Sequence, residues 1–163
     1  MSGTIITWLL LAGGLSAGIM AGVYFVFSAF AMKALDEAGP GLAADVMNRI
    51  NRVILASAFM PLFFGSTLIL LLLLIAGVVS GGDPRAPWLI GTGALYCLGM
   101  FLCTVGFNVP LNHQLQAVGG ESAPQETADL WRRYVRIWTR WNHVRTVSSG
   151  LTCAACLGLL AAG

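Results

Sequence analysis

Residues 131–146 hold the side chains whose types and spacing best suit a chemical site. Turned at about 100° per residue, as in an α-helix, this segment divides into two faces. A sector of about 120° holds mainly aromatic residues: Trp131, Tyr134, Val135, Trp138, Trp141, Asn142 and Arg145. The opposite face carries Arg132, Arg136, Arg140 and His143. A purely structural helix would have Leu or Ala in place of Asn142 and Arg145, so these two indicate a polar site inside the protein.

A second polar pair flanks a proline. Asn108 and Asn112 lie four residues apart with Pro110 between them. Proline lacks an amide donor and frees the carbonyl four residues earlier in a helix, which a side-chain amide can satisfy. That structural role explains one asparagine more easily than two. Both are therefore candidates for a site.

The composition is typical of a membrane protein. Of 163 residues, 57% are hydrophobic and 10% are charged, against about 25% charged in soluble domains. Apolar stretches at about 4–32, 53–80, 87–109 and 141–162 are each long enough to cross a bilayer, which takes roughly 20 residues. The first has no basic region before it, which favours an uncleaved span over a signal peptide. We predict an all-α integral membrane four-helix bundle, a single domain over residues 1–163, with an amphipathic helical extension before the fourth helix.

The basic residues predict an orientation. Eight of the nine lie in or beside the first and third connections, and Arg85 is the exception. By the positive-inside rule, we expect connections 33–52 and 110–140 on the cytoplasmic side and both termini outside, in a bacterial inner membrane. The net charge of +2 does not favour nucleic-acid binding, because the arginines are explained as determinants of topology.

Other chemistries have less support. All seven carboxylates lie in connections or at helix ends, whereas proton-coupled transporters and carboxylate-bridged di-metal enzymes usually need them inside the spans. Cys153 and Cys156 share one face of an apolar helix, and no loop holds the second cysteine pair of a membrane thiol oxidoreductase, so packing is favoured. A stripe of small residues permits close helix contact within the bundle or in a homodimer: Gly14, Gly18 and Gly22.

The two halves of the chain show a faint similarity. Residues 47–53 align with 138–144 and share an Arg, an Asn and a Val, while Phe27 and Leu35 align with Phe107 and Leu115. A duplicated helix hairpin is one explanation, and chance is the other. Under duplication, Asn51 and Asn142 would be related by symmetry and face a shared cavity at the cytoplasmic end.

Three motifs together resemble the anthrone-oxygenase-like family of small four-span membrane proteins. They are Asn108-x-Pro110-x-Asn112, Trp138-x-x-Trp141-Asn142-x-x-Arg145, and the first-helix ending at residues 27–32. The resemblance covers essentially the whole chain. Family members with an assigned activity oxidise anthrones to anthraquinones without a metal or flavin, and most bacterial members have no assigned activity. The resemblance implies a monooxygenase that acts on a flat hydrophobic aromatic through its enolate and dioxygen, with no cofactor.

The resemblance also implies a set of site residues. The enolate oxygen would be held by amides and a cation, and a histidine would act as the base: Asn108, Asn112, Asn142 and Arg145, with His143 or His113. Aromatic rings and neighbouring polar groups would bind the substrate: Tyr24, Ser28, Asn51, Trp131, Tyr134, Trp138 and Trp141.

Simpler explanations stand beside these. His143 could be solvated among lipid headgroups, His113 could be a loop residue, and tryptophans often anchor membrane boundaries. Arg145 could extend to the interface or cap a helix. Two alternative functions remain: a haem or copper protein with His113 and His143 as ligands, and a non-catalytic small-molecule-binding or structural subunit.

Overall fold

Helices account for nearly all of the structure. The computed structural model describes residues 3–117 and 124–162, and these form α1 (Gly3–Glu37), α2 (Pro40–Leu55), α3 (Phe59–Val79), α4 (Ala86–Ala117) and α5 (Pro124–Ala161), with no strand among them. Four of the helices, α1, α3, α4 and α5, are long and apolar enough to cross a membrane. The predicted all-α fold with four spans is confirmed. Residues 118–123 of the predicted third connection lie outside the described residues.

The second span begins later than predicted. A break at residues 56–58 separates α2 from α3, so the span starts at Phe59 rather than near residue 53. The Phe59 amide donates to Ser57 Oγ at 3.2 Å, which satisfies one of the free donors at the start of the helix. Pro61 then falls in the first turn, where its missing amide has no cost. The interruption of the helical chain therefore lies before Pro61.

The third span continues further than predicted. Two π-helical turns, Cys97–Leu102 and Thr104–Asn108, precede Pro110. In the second of these the Val109 amide donates to the carbonyl of Thr104, five residues back. A π-turn widens the helix locally, and α4 runs through Pro110 to Ala117 instead of ending near residue 109. The expectation that His113 lies in a loop was wrong, because it belongs to this extension.

Small residues bring α1 against α5. A Cβ on Gly14 would lie 3.1 Å from Cys156 Cβ, and one on Gly18 would lie 3.2 Å from Cys153 Sγ. Cys153 and Cys156 thus pack against the glycine stripe within the chain, as the packing interpretation predicted. Two of the three glycines proposed for a homodimer are already occupied by α5. Only Gly22 has no described atom within 4 Å of its Cβ position.

The helix α4 packs just as closely against α3 and against α5. A Cβ on Gly93 of α4 would lie 2.5 Å from the Leu70 carbonyl oxygen of α3, and one on Gly99 would lie 2.5 Å from Ser148 Cβ of α5. Interiors pack near crystal density, so these glycines fix how near α4 can come to its neighbours. This spacing sets the width of the bundle next to the polar residues of α5.

The amphipathic helix α2 covers one end of the bundle. Its buried residues Ala43, Ala44 and Met47 pack with Trp131 and Tyr134 of α5 in one apolar cluster. Asn48 Nδ2 donates to the carbonyl of Leu115 at 3.2 Å, which ties α2 to the end of α4. This separate helix differs from the aligned residues 138–144, which lie inside the continuous α5. Asn51 and Asn142 therefore do not occupy equivalent elements.

Candidate active site

A cavity of about 310 Å³ lies under α2 and is lined by residues of all five helices. This volume falls near the lower end of the ~300–1,000 Å³ typical of small-molecule sites. Aromatic rings contribute much of its wall: Tyr24, Phe27, Phe59, Phe63, Phe64 and Trp138. Polar side chains also line it: Asn48, Asn51, Arg52, Thr104, Asn112, His113, Gln116 and Arg145. The wall thus combines apolar surface with a small number of polar groups, as small-molecule sites usually do.

Arg145 is the most unusual of these residues. Its side chain is buried, with 4% exposed, in the middle of a membrane-spanning helix. The guanidinium carbon lies 4.4 Å from the centre of the Tyr24 ring and 4.9 Å from that of Trp138. One guanidinium nitrogen donates to Asn142 Oδ1 at 2.7 Å. Nε has no hydrogen-bond partner among the described residues.

No carboxylate within the described residues pairs with Arg145. A guanidinium keeps its positive charge in proteins. Moving such an ion from water into the protein interior costs roughly several kcal/mol, even after the surrounding protein has adjusted. Cation–π interactions with the two aromatic faces offset about 2 kcal/mol of this cost, or somewhat more, when they are shielded from water. The site is therefore electrostatically incomplete, and an anionic oxygen in the cavity would complete it.

Asn142 holds the guanidinium from behind. Its Nδ2 donates to the carbonyl of Tyr24 and to Ser28 Oγ, both at 2.7 Å, while its Oδ1 accepts from Arg145. These bonds use three of the four that the amide can make. Asn142 is fully buried and is not among the cavity-lining residues. The structure therefore places both Asn142 and Ser28 as supports of Arg145 rather than in the cavity wall.

Asn112 lines the cavity with a defined orientation. Its Oδ1 accepts hydrogen bonds from Tyr134 Oη at 2.9 Å and from Trp138 Nε1 at 3.0 Å. Because the oxygen is occupied, only the amide N–H groups remain for a ligand. Asn112 can thus act as a donor on the same side of the cavity as Trp138. Tyr134 stands behind it and does not line the cavity.

Asn108 lies outside the cavity. It is buried, and its Nδ2 donates to the carbonyl of Trp138 on α5 at 3.2 Å. Its hydrogen bond thus runs to a neighbouring helix, and in the described part of α4 no bond from it to the carbonyl that Pro110 frees in its own helix is seen. Its role in this geometry is to hold α4 against α5. Its Oδ1 has no partner among the described residues.

The two histidines lie in different places. His113 lines the cavity together with Arg145 and Asn112. His143 is exposed on another face of α5, where its Nδ1 lies 2.9 Å from Ser28 Oγ, and it lines a separate cleft. The structure therefore does not bring the two proposed haem or copper ligands together. No cluster of three or more His, Cys, Asp or Glu side chains suited to a metal occurs in the described part of the chain.

Fewer of the predicted aromatic residues line the cavity than expected. Tyr24 and Trp138 line the cavity, whereas Trp131 donates from Nε1 to Asp36 at 2.8 Å and Trp141 stacks on Phe107 at 3.7 Å. Trp131, Tyr134 and Trp138 instead form a row of rings along α5, with centres 5.6 and 6.1 Å apart. The row supports the cavity wall from behind.

Sequence reasoning missed several cavity residues. Asn48 was not considered, although it shares a helical face with Asn51 at a spacing of three. Phe59 and Phe63 of α3 stack four residues apart, with ring centres 5.9 Å apart, and were not considered as site residues. Gln116 was assigned to a connection because α4 was predicted to end early. For Asn48, Phe59 and Phe63, the one available signal in the sequence was the helical spacing of three or four residues.

The fold and site define a class: a helical membrane protein with a cavity that combines aromatic walls and a guanidinium without a carboxylate partner among the described residues. A family model described as anthrone oxygenase matches residues 52–155. The chain belongs to this family, as the resemblance in its motifs indicated. No curated protein and no solved structure matches the chain.

Proposed function

We propose that this protein is a membrane-embedded oxygenase that oxidises a flat, hydrophobic, anthrone-like aromatic through its enolate, without a cofactor. The observation that carries the proposal is Arg145, a buried cation that faces the cavity and has no carboxylate partner among the described residues. An anthrone that loses a methylene proton becomes an anion whose charge lies largely on oxygen. This is the group that the cavity lacks.

The proposed reaction needs only a base, dioxygen and stabilisation of the anion. The base removes one methylene proton, and the resulting carbanion transfers its electrons to dioxygen, forming a carbon–oxygen bond. Protonation gives a hydroperoxide on that carbon. Loss of the second hydrogen and cleavage of the O–O bond release water and leave a ketone. One oxygen atom enters the quinone and the other leaves as water, so atoms and electrons balance.

Each cavity residue has a role in this scheme. Arg145 and the Asn112 amide hold the enolate oxygen, which lowers the cost of forming the anion. His113 acts as the base, because it lines the same cavity as Arg145 and imidazole exchanges protons near neutral pH. Tyr24, Trp138 and Phe59 contact the faces of the ring system. His143, the other candidate base, would act only through Ser28 and Asn142.

We also propose that this end of the bundle faces the cytoplasm in a bacterial inner membrane. The basic residues of α2 and of the first half of α5 surround it, and the positive-inside rule places them there. A flat apolar substrate dissolves in the bilayer, so we propose lateral access between helices rather than access from water.

The test is oxygen uptake by purified, detergent-solubilised protein given emodin anthrone, with the quinone and any hydroperoxide measured in parallel. Saturable uptake above the spontaneous rate, with one O₂ consumed per quinone, supports the proposal. His113→Gln retains a polar side chain of similar size and should lower kcat with a smaller effect on KM. Tight binding of the anthrone with no acceleration would instead establish a binding protein.

A further inference from the structure

A second recess lies on a different face of α5 from the cavity. It is an open cleft of about 380 Å³ between the end of α1 and the first half of α5. Four of its lining residues are Lys, Arg or His, and one is a carboxylate: Lys33, Arg136, Arg140 and His143, with Asp36. The cleft therefore carries an excess of positive charge.

The two arginines of this cleft have no ion-pair partner in the part of the chain that the structure describes. Arg136 and Arg140 lie one helical turn apart, are exposed, and form no ion pair with any described residue. Arg132 on the same helix differs, because it pairs with Asp129. The one carboxylate in the cleft, Asp36, accepts a hydrogen bond from Trp131 Nε1 at 2.8 Å. The two guanidinium groups are therefore free to bind an anion together.

A buried hydroxyl without a partner lines the same cleft. Thr139 Oγ1 makes no hydrogen bond among the described residues although it is shielded from solvent. Other α5 threonines donate to the carbonyl four residues earlier, Thr146 at 2.9 Å and Thr152 at 2.8 Å. Buried polar groups are nearly always paired. Thr139 lines the same cleft as the two arginines, so an acceptor oxygen in the cleft would supply the partner that the described residues do not.

The other wall of the cleft is apolar, formed by Phe27, Met32 and Val135. A ligand that satisfies both walls has an anionic head rich in acceptor oxygens and an apolar body. Basic recesses between spans at the cytoplasmic side suit phospholipid headgroups. We propose that this cleft binds the phosphate of an anionic phospholipid, with Arg136, Arg140 and Thr139 on the phosphate oxygens. The proposal is independent of the oxygenase function.

Native mass spectrometry of the delipidated full-length protein tests this proposal. The probes are phosphatidylglycerol, phosphatidylcholine with the same acyl chains, and inorganic phosphate. We expect phosphatidylglycerol to bind at one saturable site, and R136A/R140A to weaken it about 30-fold. R132A/R133A removes the same formal charge from the preceding turn and should retain the affinity. Thr139→Val keeps the side-chain shape and should weaken binding about tenfold, with the lipid-free Tm unchanged.

Three results would overturn the proposal. Equal affinity for phosphatidylcholine would show that the headgroup charge is not recognised. Equal losses in R136A/R140A and R132A/R133A would show a diffuse charge effect rather than a site. The third result is that inorganic phosphate displaces phosphatidylglycerol and that R136A/R140A binds both as tightly as the wild type. This would show that the anion binds elsewhere.

Discussion

At the scale of single residues, the proposed function rests on Arg145. Its charge is buried, its Nε is unpaired among the described residues, and both aromatic neighbours contact it through their faces. A side chain kept only for stability would be paired, because an unpaired buried charge costs free energy. We therefore expect Arg145 to interact with a ligand and to lower the stability of the ligand-free protein.

Replacing Arg145 with Met should separate stability from activity. Met has a similar length, fits between aromatic rings and removes the buried charge. We expect the Tm of the ligand-free protein to stay the same or rise, while anthrone-dependent oxygen uptake falls at least about 100-fold, the scale of losing one oxyanion donor. A large fall in Tm would instead show that Arg145 serves the fold.

Asn142→Asp tests the support behind Arg145. A carboxylate in place of Oδ1, which now lies 2.7 Å from the guanidinium, would neutralise the cation from inside the protein. We expect affinity for an ionised aromatic ligand to fall at least tenfold, with little change for a neutral flat aromatic of the same size. Equal losses for both ligands, measured by fluorescence titration, would show general disruption of the cavity.

The sequence predicts the residues of α5 better than those of α4. A 3.6-residue period places Trp131, Tyr134, Trp138, Asn142 and Arg145 on the buried face, and the structure agrees. The helical period does not indicate which buried residues line a cavity and which lie behind the lining residues. That distinction depends on the neighbours contributed by α1 and α2, which are far away in sequence.

At the scale of elements, close helix contacts maintain the site geometry. Gly93→Ala would place a methyl group 2.5 Å from the Leu70 carbonyl, where only movement of the backbone can relieve the clash. We expect a loss of about 1–3 kcal/mol in unfolding free energy. Gly91→Ala is the matched control, because it is exposed in the same helix and has no described atom within 4 Å. It should be neutral or stabilising, up to about 1 kcal/mol, when both are compared by thermal unfolding in detergent.

The turn between α3 and α4 predicts a pH effect. Hydrogen bonds from the Arg85 side chain and amide hold the pKa of Asp83 below its ordinary value. A lowered pKa gives stability that is present above the unfolded-state value of about 4 and is lost as the pH falls through the folded-state value. Asp83→Asn should therefore have a lower Tm than the wild type at pH 7, and the two should converge as the pH falls below about 4. An equal difference at pH 7 and pH 3 would contradict this account.

The element boundaries were the least predictable part of the fold. The spans followed from hydropathy and length, since about 20 apolar residues are enough to cross a bilayer. The π-turns before Pro110 were not predicted, and with them α4 continues through the proline to Ala117. This is why the sequence placed His113 and Gln116 in a connection when both line the cavity.

At the scale of the whole molecule, the topology prediction remains to be tested. Reporter fusions at the C-terminus should show it outside the cytoplasm, and a reporter inserted after Gly39 should show that connection inside. Gly39 is suited to an insertion because it lies between α1 and α2 with a φ of 92°, in a turn. The opposite signals would invert the orientation and place the cavity on the outer side.

The central claim is that the cavity holds an anionic aromatic oxygen against Arg145. Hydroxyanthraquinones absorb at longer wavelengths when ionised, so a bound emodin reports its own charge. We would titrate emodin into wild type, Arg145→Met and the exposed control Arg133→Met, at a pH where free emodin is neutral. The account predicts the spectrum of the ionised form with wild type and Arg133→Met, and weak binding of the neutral form with Arg145→Met. Binding of the neutral form with equal affinity to all three proteins would contradict it.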